Sequence, residues 1–556
     1  MKIGEYLLKR LKDYGVTDIF GVPGDYNLGI MDVVSEYEGI NWIGNCNELI
    51  AAYAADGYAR EKGMGALITT LGVGELSAIN GVAGSYAEDV PVIQITGISS
   101  VENIIERAPR HHTLGDGDYG HFRRAYEEFT VYDTVLSRTN AKNEIDKALS
   151  MAMLYKKPVY IAIPEDIVTT DIEETQDLYV NEKFNSSERN LEKFIEDFKV
   201  ILKLTKEHLF VFGHFIERYR LQGLAENLIE KAEIPFTTIT FGKSVITDDN
   251  KFSAGLYSDD NTICKISDLN ILVGTKPNEW FKPIAENIVR INPFYCEINN
   301  VIYSEIFIED AIKAISEINL DYSSSYSNYK HHCSQSENII ENKPITCDLI
   351  NHVLQKHLKK NMNVVVEQGT AFFSSSDLFI GQGVKLISQP LWASIGYTLG
   401  SVMGLGIADR TRRNILLIGD GSFQLTAQAI STILREKLNP IIIFNDNGGY
   451  TIERYIAGAH KKYNDVQKWN YSKLIESFDV EDDLKPVFIK AETTSELDSA
   501  LMKAEKESNK LVFIEIVTDE FEAPKGLVEF SKINAPKDRY LEGVNNQDLP
   551  DGILSK

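Results

Sequence analysis

The run Asn414-Ile-Leu-Leu-Ile418 and the turn after it restrict this chain more than any other stretch. The run is short, almost wholly apolar and bounded by turn residues, the pattern of a strand buried on both faces. It passes directly into Gly419-Asp420-Gly421-Ser422 and then into the helical pattern Phe423-Gln-Leu-Thr-Ala-Gln-Ala429. A second buried run, Pro440-Ile-Ile-Ile-Phe444, delivers Asn445-Asp446-Asn447-Gly448-Gly449. Strand, crossover helix and strand imply a parallel pair. Open parallel sheets bind ligands beyond the carboxyl ends of their strands, where Asp420 and Asn447 are expected side by side.

Asp420 and the amide oxygen of Asn447 are hard oxygen donors suited to Mg²⁺, and the glycines let the backbone approach a diphosphate. The tetrapeptide alone is also an ordinary strand-to-helix turn. Its strand context and the following Asn favour a cation-bridged diphosphate site.

Similar alternation runs through the chain, with strand patterns at 66–70, 90–96, 158–163, 209–212 and 269–273. The expected fold class is α/β, with three doubly wound parallel-sheet domains. Polar stretches at 169–189 and 321–343 read as linkers, which places the units at residues 1–180, 190–325 and 344–556. The formal net charge of -24 comes from dispersed Asp and Glu, so nucleic acid is not an expected partner. Cys46, Cys264, Cys296, Cys333 and Cys347 form no CxxC pair, so neither a zinc site nor a disulfide framework is expected. The first residues carry charges at Lys9, Arg10, Lys12 and Asp13 where a secretory leader would be apolar, and no run reaches membrane-helix length. A cytoplasmic protein without membrane contact is expected. Gly72-Val-Gly74-Glu-Leu-Ser77 lacks the third glycine of a dinucleotide fingerprint, which argues against NAD.

Other segments narrow the reading. Gly21-Val-Pro-Gly-Asp-Tyr-Asn-Leu28, Asn45-Cys-Asn-Glu-Leu49, Ala54-Ala-Asp-Gly-Tyr-Ala-Arg60, Gly72-Val-Gly-Glu-Leu-Ser-Ala-Ile-Asn80, His111-His-Thr-Leu-Gly-Asp-Gly-Asp118 and Tyr450-Thr-Ile-Glu453 occur in this order. Together with Gly419–Ser422 and Asn447, they resemble the motifs of the thiamine diphosphate-dependent pyruvate and indolepyruvate decarboxylases. The resemblance spans essentially the whole chain. It implies a pyrimidine-binding domain, a middle domain and a diphosphate-binding domain, in chain order. It further implies a homodimer at least, with a tetramer expected, and an active site between the first domain of one copy and the third of another.

The resemblance also implies residue roles. Glu48 would hydrogen-bond the aminopyrimidine ring and exchange a proton with it. Asp25, His111, His112 and Glu453 would form a proton-relay set near the reacting carbon. Alone, Pro23-Gly24-Asp25 is also ordinary turn chemistry and a His pair is often structural, so the constellation carries both assignments. Asp420, Asn447 and the Gly449 carbonyl would hold Mg²⁺. Gly369, Thr370, Gly421, Ser422 and Tyr450 would line the cofactor, Ile395 would prop it into a bent form, and the Ala393 carbonyl would face its amino group. Trp280, Trp392, Ile452 and Phe530 are the expected substrate pocket. Two departures from the family pattern stand out: Asp446 replaces an Asn and Gly448 replaces an acidic residue. The implied activity is non-oxidative decarboxylation of a pyruvate-like, branched or aryl 2-oxo acid to an aldehyde and CO₂. The alternative is a carboligase of the acetolactate-forming type.

Overall fold

The computed structural model describes residues 1–172, 184–278, 281–318 and 342–534, which build three β-sheets with helices packed around them. The first sheet contains β1 (Asp18–Gly21), β2 (Asn41–Gly44), β3 (Gly65–Thr70), β4 (Val92–Ile98), β5 (Tyr132–Val135) and β6 (Val159–Pro164), in the order β2-β1-β3-β4-β6-β5. All its pairings are parallel. The second contains β7 (His208–Phe212), β8 (Phe236–Thr238), β9 (Ser253–Leu256), β10 (Leu269–Val273), β11 (Asn287–Ile291), β12 (Tyr295–Ile298) and β13 (Val301–Ser304), in the order β13-β12-β11-β10-β7-β8-β9. The third contains β14 (Met362–Val366), β15 (Val384–Ile387), β16 (Arg413–Gly419), β17 (Ile441–Asp446), β18 (Val487–Ala491) and β19 (Val512–Val517), in the order β15-β14-β16-β17-β19-β18, again all parallel.

Counted from its own first strand, the third sheet has the same order as the first. In both, strand order reverses between the first strand and the third, and this opens a crevice at the strand ends. The middle sheet departs from the all-parallel expectation, because β12 and β13 are antiparallel edge strands. Their two-residue loop is Asn299-Asn300, with both residues at positive φ (47° and 71°), the backbone of a type I′ turn. Asn tolerates that region better than most residues, so the hairpin has a local cause. The sequence reading did not identify it.

The first and third sheets share one continuous apolar core, including Leu67, Ile95, Val402 and Leu416, whereas the middle sheet has its own around Phe198, Phe210, Ile271 and Ile312. The shared core is tied together by two helices, Glu48–Lys62 and Tyr397–Ala408. Gly396, Gly400 and Gly404 recur once per turn along the second helix. A Cβ on Gly404 would overlap the Ala54 carbonyl oxygen of the first helix, and one on Gly400 would lie 2.5 Å from the Tyr53 Cβ. The Tyr397 hydroxyl also donates to Asp56 across the crossing (2.5 Å). Cys46, Cys264, Cys296 and Cys347 are unpaired thiols. No helix among the described residues is long and apolar enough to cross a membrane.

Candidate active site

At the crevice of the third sheet, β16 runs in register beside β17, with Gly419 opposite Asn445. The helix after β16 starts at Asp420 itself, earlier than the expected Phe423, and ends at Thr426 before a second helix, Ala429–Arg435. Asp420 therefore lies in a helical first turn, where an anion is favoured. It is 2% exposed and accepts the Gly421 N–H (2.7 Å). Burial pushes its carboxyl up to about 6, against the pull of the Gly421 amide, and the nearby Asp446 charge adds to the rise. Asp446 is itself buried, with the exposed Lys468 ammonium 3.8 Å from its carboxylate.

Asn447 decides what this pocket holds. Its side-chain nitrogen lies 2.8 Å from the Thr451 hydroxyl, whose own proton is directed to the Glu520 carbonyl (2.9 Å). A hydroxyl has one proton, so while Glu520 takes it, Thr451 offers Asn447 only lone pairs. In that setting the Asn447 side-chain oxygen faces Asp420 Oδ1 at 3.0 Å and the Gly449 carbonyl at 3.2 Å. Turned over, the amide would donate to both oxygens and accept from Thr451, at the cost of the bond to Glu520. The Asn447 oxygen set against these two others is repelled by both without a cation. Around Mg²⁺, adjacent ligands at 2.0–2.1 Å stand about 2.9 Å apart, which the first setting approaches. The donor set therefore fits a magnesium ion. Among the described residues no three His, Cys, Asp or Glu side chains gather as metal ligands, so this site would use one carboxylate supplemented by amide and main-chain oxygens.

Around this point lie the other residues expected to meet the cofactor. The Tyr450 ring covers Gly421, where any Cβ would overlap it, and Ser422 is buried in the same helix. Gly369 and Thr370 follow β14 across the crevice, and Thr370, Gly419 and Asn445 line a small pocket together with Ile350, Leu417, Ile443 and Ile516. Buried Arg454 and Tyr455 anchor the helix Thr451–Ala457, leaving Glu453 exposed and Ile452 half-buried on its open side. Ala393 has a positive φ of 53° and Ile395 is half-buried in the turn before the Tyr397–Ala408 helix. Glu88 holds the front of that turn, accepting the Leu391 and Trp392 N–H groups (2.7 and 3.1 Å).

The crevice of the first sheet gathers the other candidates. Asp25 follows β1, and its carboxylate meets His111 Nε2 at 2.9 Å. Tyr26 stacks on His111, with centroids 5.1 Å apart, and the two histidine rings are 4.6 Å apart. His112 has a φ of 62°, and its buried Nδ1 has no hydrogen-bond partner among the described residues. The His112 carbonyl occupies the space a Cβ on Gly72 would need, and Gly72 itself has a φ of 65°, so glycine is required there. Glu48 is the first residue of its helix, whose Asn47 cap accepts the Ile50 N–H (2.9 Å). The Glu48 side chain is half-buried and lies over Gly74, 3.2 Å from where a Cβ would stand. Among the described residues, no hydrogen bond or ion pair joins this cluster to the one at Asp420.

The remaining candidates separate. Trp392 seats its ring against Gly84 and donates its indole N–H to Asn80 (2.9 Å). Phe530 packs on Phe373, centroids 5.3 Å apart, beside the segment that carries Thr370. Trp280 lies outside the described residues. Sequence reading missed Thr451 and Glu367. Thr451 stands inside a quoted motif and four residues after Asn447, a spacing that could have suggested contact; Glu367 directly precedes the Gly369-Thr370 segment.

The family description "Thiamine pyrophosphate enzyme, N-terminal TPP binding domain" matches residues 1–117, and "Thiamine pyrophosphate enzyme, C-terminal TPP binding domain" matches residues 378–516. Fold, crevices and these matches define a thiamine diphosphate enzyme. An alpha-keto-acid decarboxylase of Mycobacterium avium (strain 104) is 34% identical over 96% of this chain and 97% of its own length. Alpha-keto-acid decarboxylases of Mycobacterium tuberculosis (strain ATCC 25618 / H37Rv) and Mycobacterium leprae (strain TN) are 34% and 33% identical, over 96% and 98% of this chain and 97% of each relative. The chain belongs to the thiamine diphosphate-dependent 2-oxo acid decarboxylase family.

Proposed function

We propose that the chain decarboxylates a short, branched or aryl 2-oxo acid to an aldehyde and CO₂, with thiamine diphosphate bridged to the protein by Mg²⁺. The facing oxygens of Asp420, Asn447 and Gly449 are the observation that carries this reading. The working unit in this reading is at least a dimer, in which the Glu48–Asp25–His111–His112 cluster of one copy meets the Asp420–Asn447–Glu453 cluster of another; among the described residues no hydrogen bond or ion pair joins the two clusters within one chain. Uncovered apolar residues beside both clusters, Leu28, Val73 and Leu76 near the first and Leu425 near the second, support pairing, and a tetramer would be a pair of such dimers. The units 1–180, 190–325 and 344–556 serve as pyrimidine-binding, middle and diphosphate-binding domains, and the protein works in the cytoplasm.

Thiamine diphosphate, when bound, supplies an electron sink for the pair released as the carboxyl carbon departs. The chain does the rest. Asp420, Asn447 and Gly449 hold the metal, with Gly369, Thr370, Gly421, Ser422 and Tyr450 around the diphosphate end. Glu48 hydrogen-bonds the ring at the other end and exchanges a proton there. Ile395 and the Ala393 carbonyl would contact the cofactor between those two ends. Asp25 orients the His111 imidazole through Nε2, and with His112 and Glu453 it moves the proton that takes the place of CO₂. Ile452, on the open side of its helix, and Phe530 would shape the space for the substrate chain.

The test is a panel of 2-oxo acids assayed for aldehyde and CO₂ after EDTA treatment, with and without Mg²⁺ and thiamine diphosphate. Aldehyde formation that requires both additions is expected. A carboligase would accumulate the acetolactate-type product instead, and turnover unaffected by chelation and dialysis would overturn the metal-bridged reading.

A further inference from the structure

Glu367 is a buried carboxyl, 1% exposed, with no Lys, Arg or His in ion-pair distance among the described residues. It stands at the end of β14, next to the crevice, and its own N–H is bound to the Leu417 carbonyl of β16 (3.0 Å). Donors from two separate loops take its two oxygens. Oε1 accepts the Gln368 N–H (2.9 Å), at the head of the Gly369-Thr370 segment. Oε2 accepts the Thr398 hydroxyl (2.6 Å), the Gly396 N–H (3.2 Å) and the Thr398 N–H (3.4 Å), at the end of the turn that carries Ala393 and Ile395. One carboxyl thus joins two backbone segments that reach toward the cofactor from different parts of the chain.

We propose that Glu367 is a positioning residue for thiamine diphosphate: it locks the Ala393–Gly396 turn to the Gly369–Thr370 loop, so that Ile395 and the Ala393 carbonyl meet the cofactor in one geometry. This rests on the function proposed above. Only a carboxylate can accept on both sides at once. A glutamine there would turn its NH₂ toward an N–H donor in either setting. Burial pushes the Glu367 carboxyl up to about 7, and the Thr398, Gln368 and Gly396 donors act in the opposite direction. A plain cap of the Tyr397–Ala408 helix would use the same Gly396 and Thr398 amides, so the test needs readouts that a cap would not move.

The experiment compares wild type, Glu367→Gln and Thr398→Val as full-length protein with Mg²⁺. It measures melting temperature, thiamine diphosphate affinity by tryptophan fluorescence, the near-ultraviolet circular dichroism of bound cofactor, and kcat and KM on one 2-oxo acid. Glu367→Gln should bind the cofactor within about threefold of wild type, lose the dichroism of the ordered cofactor, and drop kcat about 100-fold with KM changed less. Thr398→Val should show the same pattern with a drop of about tenfold. A lowered melting temperature with wild-type dichroism and kcat would make Glu367 a helix cap and overturn the proposal. Should Glu367→Gln fail to fold, Thr398→Val decides: the same pattern supports the lock, and wild-type values overturn it. If wild type binds cofactor yet turns over no 2-oxo acid, the functional reading fails, and the dichroism still decides the role of Glu367.

Discussion

Thr451 controls a single proton, and two outcomes depend on where that proton goes. While the Thr451 hydroxyl donates to the Glu520 carbonyl, Asn447 keeps its oxygen toward Asp420; in Thr451→Val the amide is free to turn and donate to Asp420 and Gly449 instead. We expect Mg²⁺-dependent cofactor affinity to fall about 10- to 100-fold, with activity recovered at high Mg²⁺, read by titrating the metal at fixed thiamine diphosphate. Glu75 gives a second prediction. It is fully buried, takes the Gly72 N–H and the Tyr160 hydroxyl, and burial pushes it up to about 7 from an ordinary 4.5. A raised carboxyl contributes stability that is complete below about 4.5 and lost as pH rises through about 7, because the folded state holds the proton more tightly. Glu75→Gln should therefore flatten the decline in melting temperature between pH 5 and 8, relieving a loss of about 1–3 kcal/mol, and an equally steep decline in the variant would refute the assignment. Asp420 and Asn447 could be read from sequence because each directly follows a buried strand, so local pattern fixes their place. Glu367 could not, since its partner Thr398 is brought to it by the fold of the whole third sheet.

At the scale of elements, the buried strands β3, β4, β6, β7, β10, β16 and β17 were legible, seven of the nineteen strands among the described residues. β10 has the expected bounds, and β3, β7 and β16 begin one residue before the expected runs, because strands whose centres are buried and largely apolar announce themselves whatever surrounds them. The exposed edge hairpin of β12 and β13 was not, since strands that alternate and lie partly in solvent give a weaker apolar signal. Nor was the helix start at Asp420, which depends on the turn geometry rather than on the apolar period. The crossing of the Glu48–Lys62 and Tyr397–Ala408 helices makes its own prediction. Gly404→Ala must push the helices apart, so calorimetry should show a loss of about 1–3 kcal/mol. Because Glu48 opens one helix and Ile395 precedes the other, kcat should fall as well. An unchanged melting temperature would mean that the crossing yields without cost.

The proposed pairing of copies belongs to the scale of the whole molecule and has a direct test. Glu48→Gln and Asp420→Asn each remove one half of the site and should each be nearly inactive. Mixed as unfolded or dissociated chains and reassembled one to one, half of the dimers contain one chain of each kind. In such a dimer both defects fall in one site, and the other is intact, so specific activity should recover to about one quarter of wild type. A site contained within one chain would leave the mixture inactive.

The glycine-tight helix crossing acquires a different meaning once two copies pair. In a dimer with shared sites, Glu48 and Ile395 of one chain would serve separate catalytic chambers, and the crossing between the helix that Glu48 opens and the helix that follows Ile395 leaves no room for a Cβ at Gly404. Each subunit would then be a stiff yoke between the chambers, and a shift of either helix as one chamber fills would reach its neighbour as displacement rather than be absorbed.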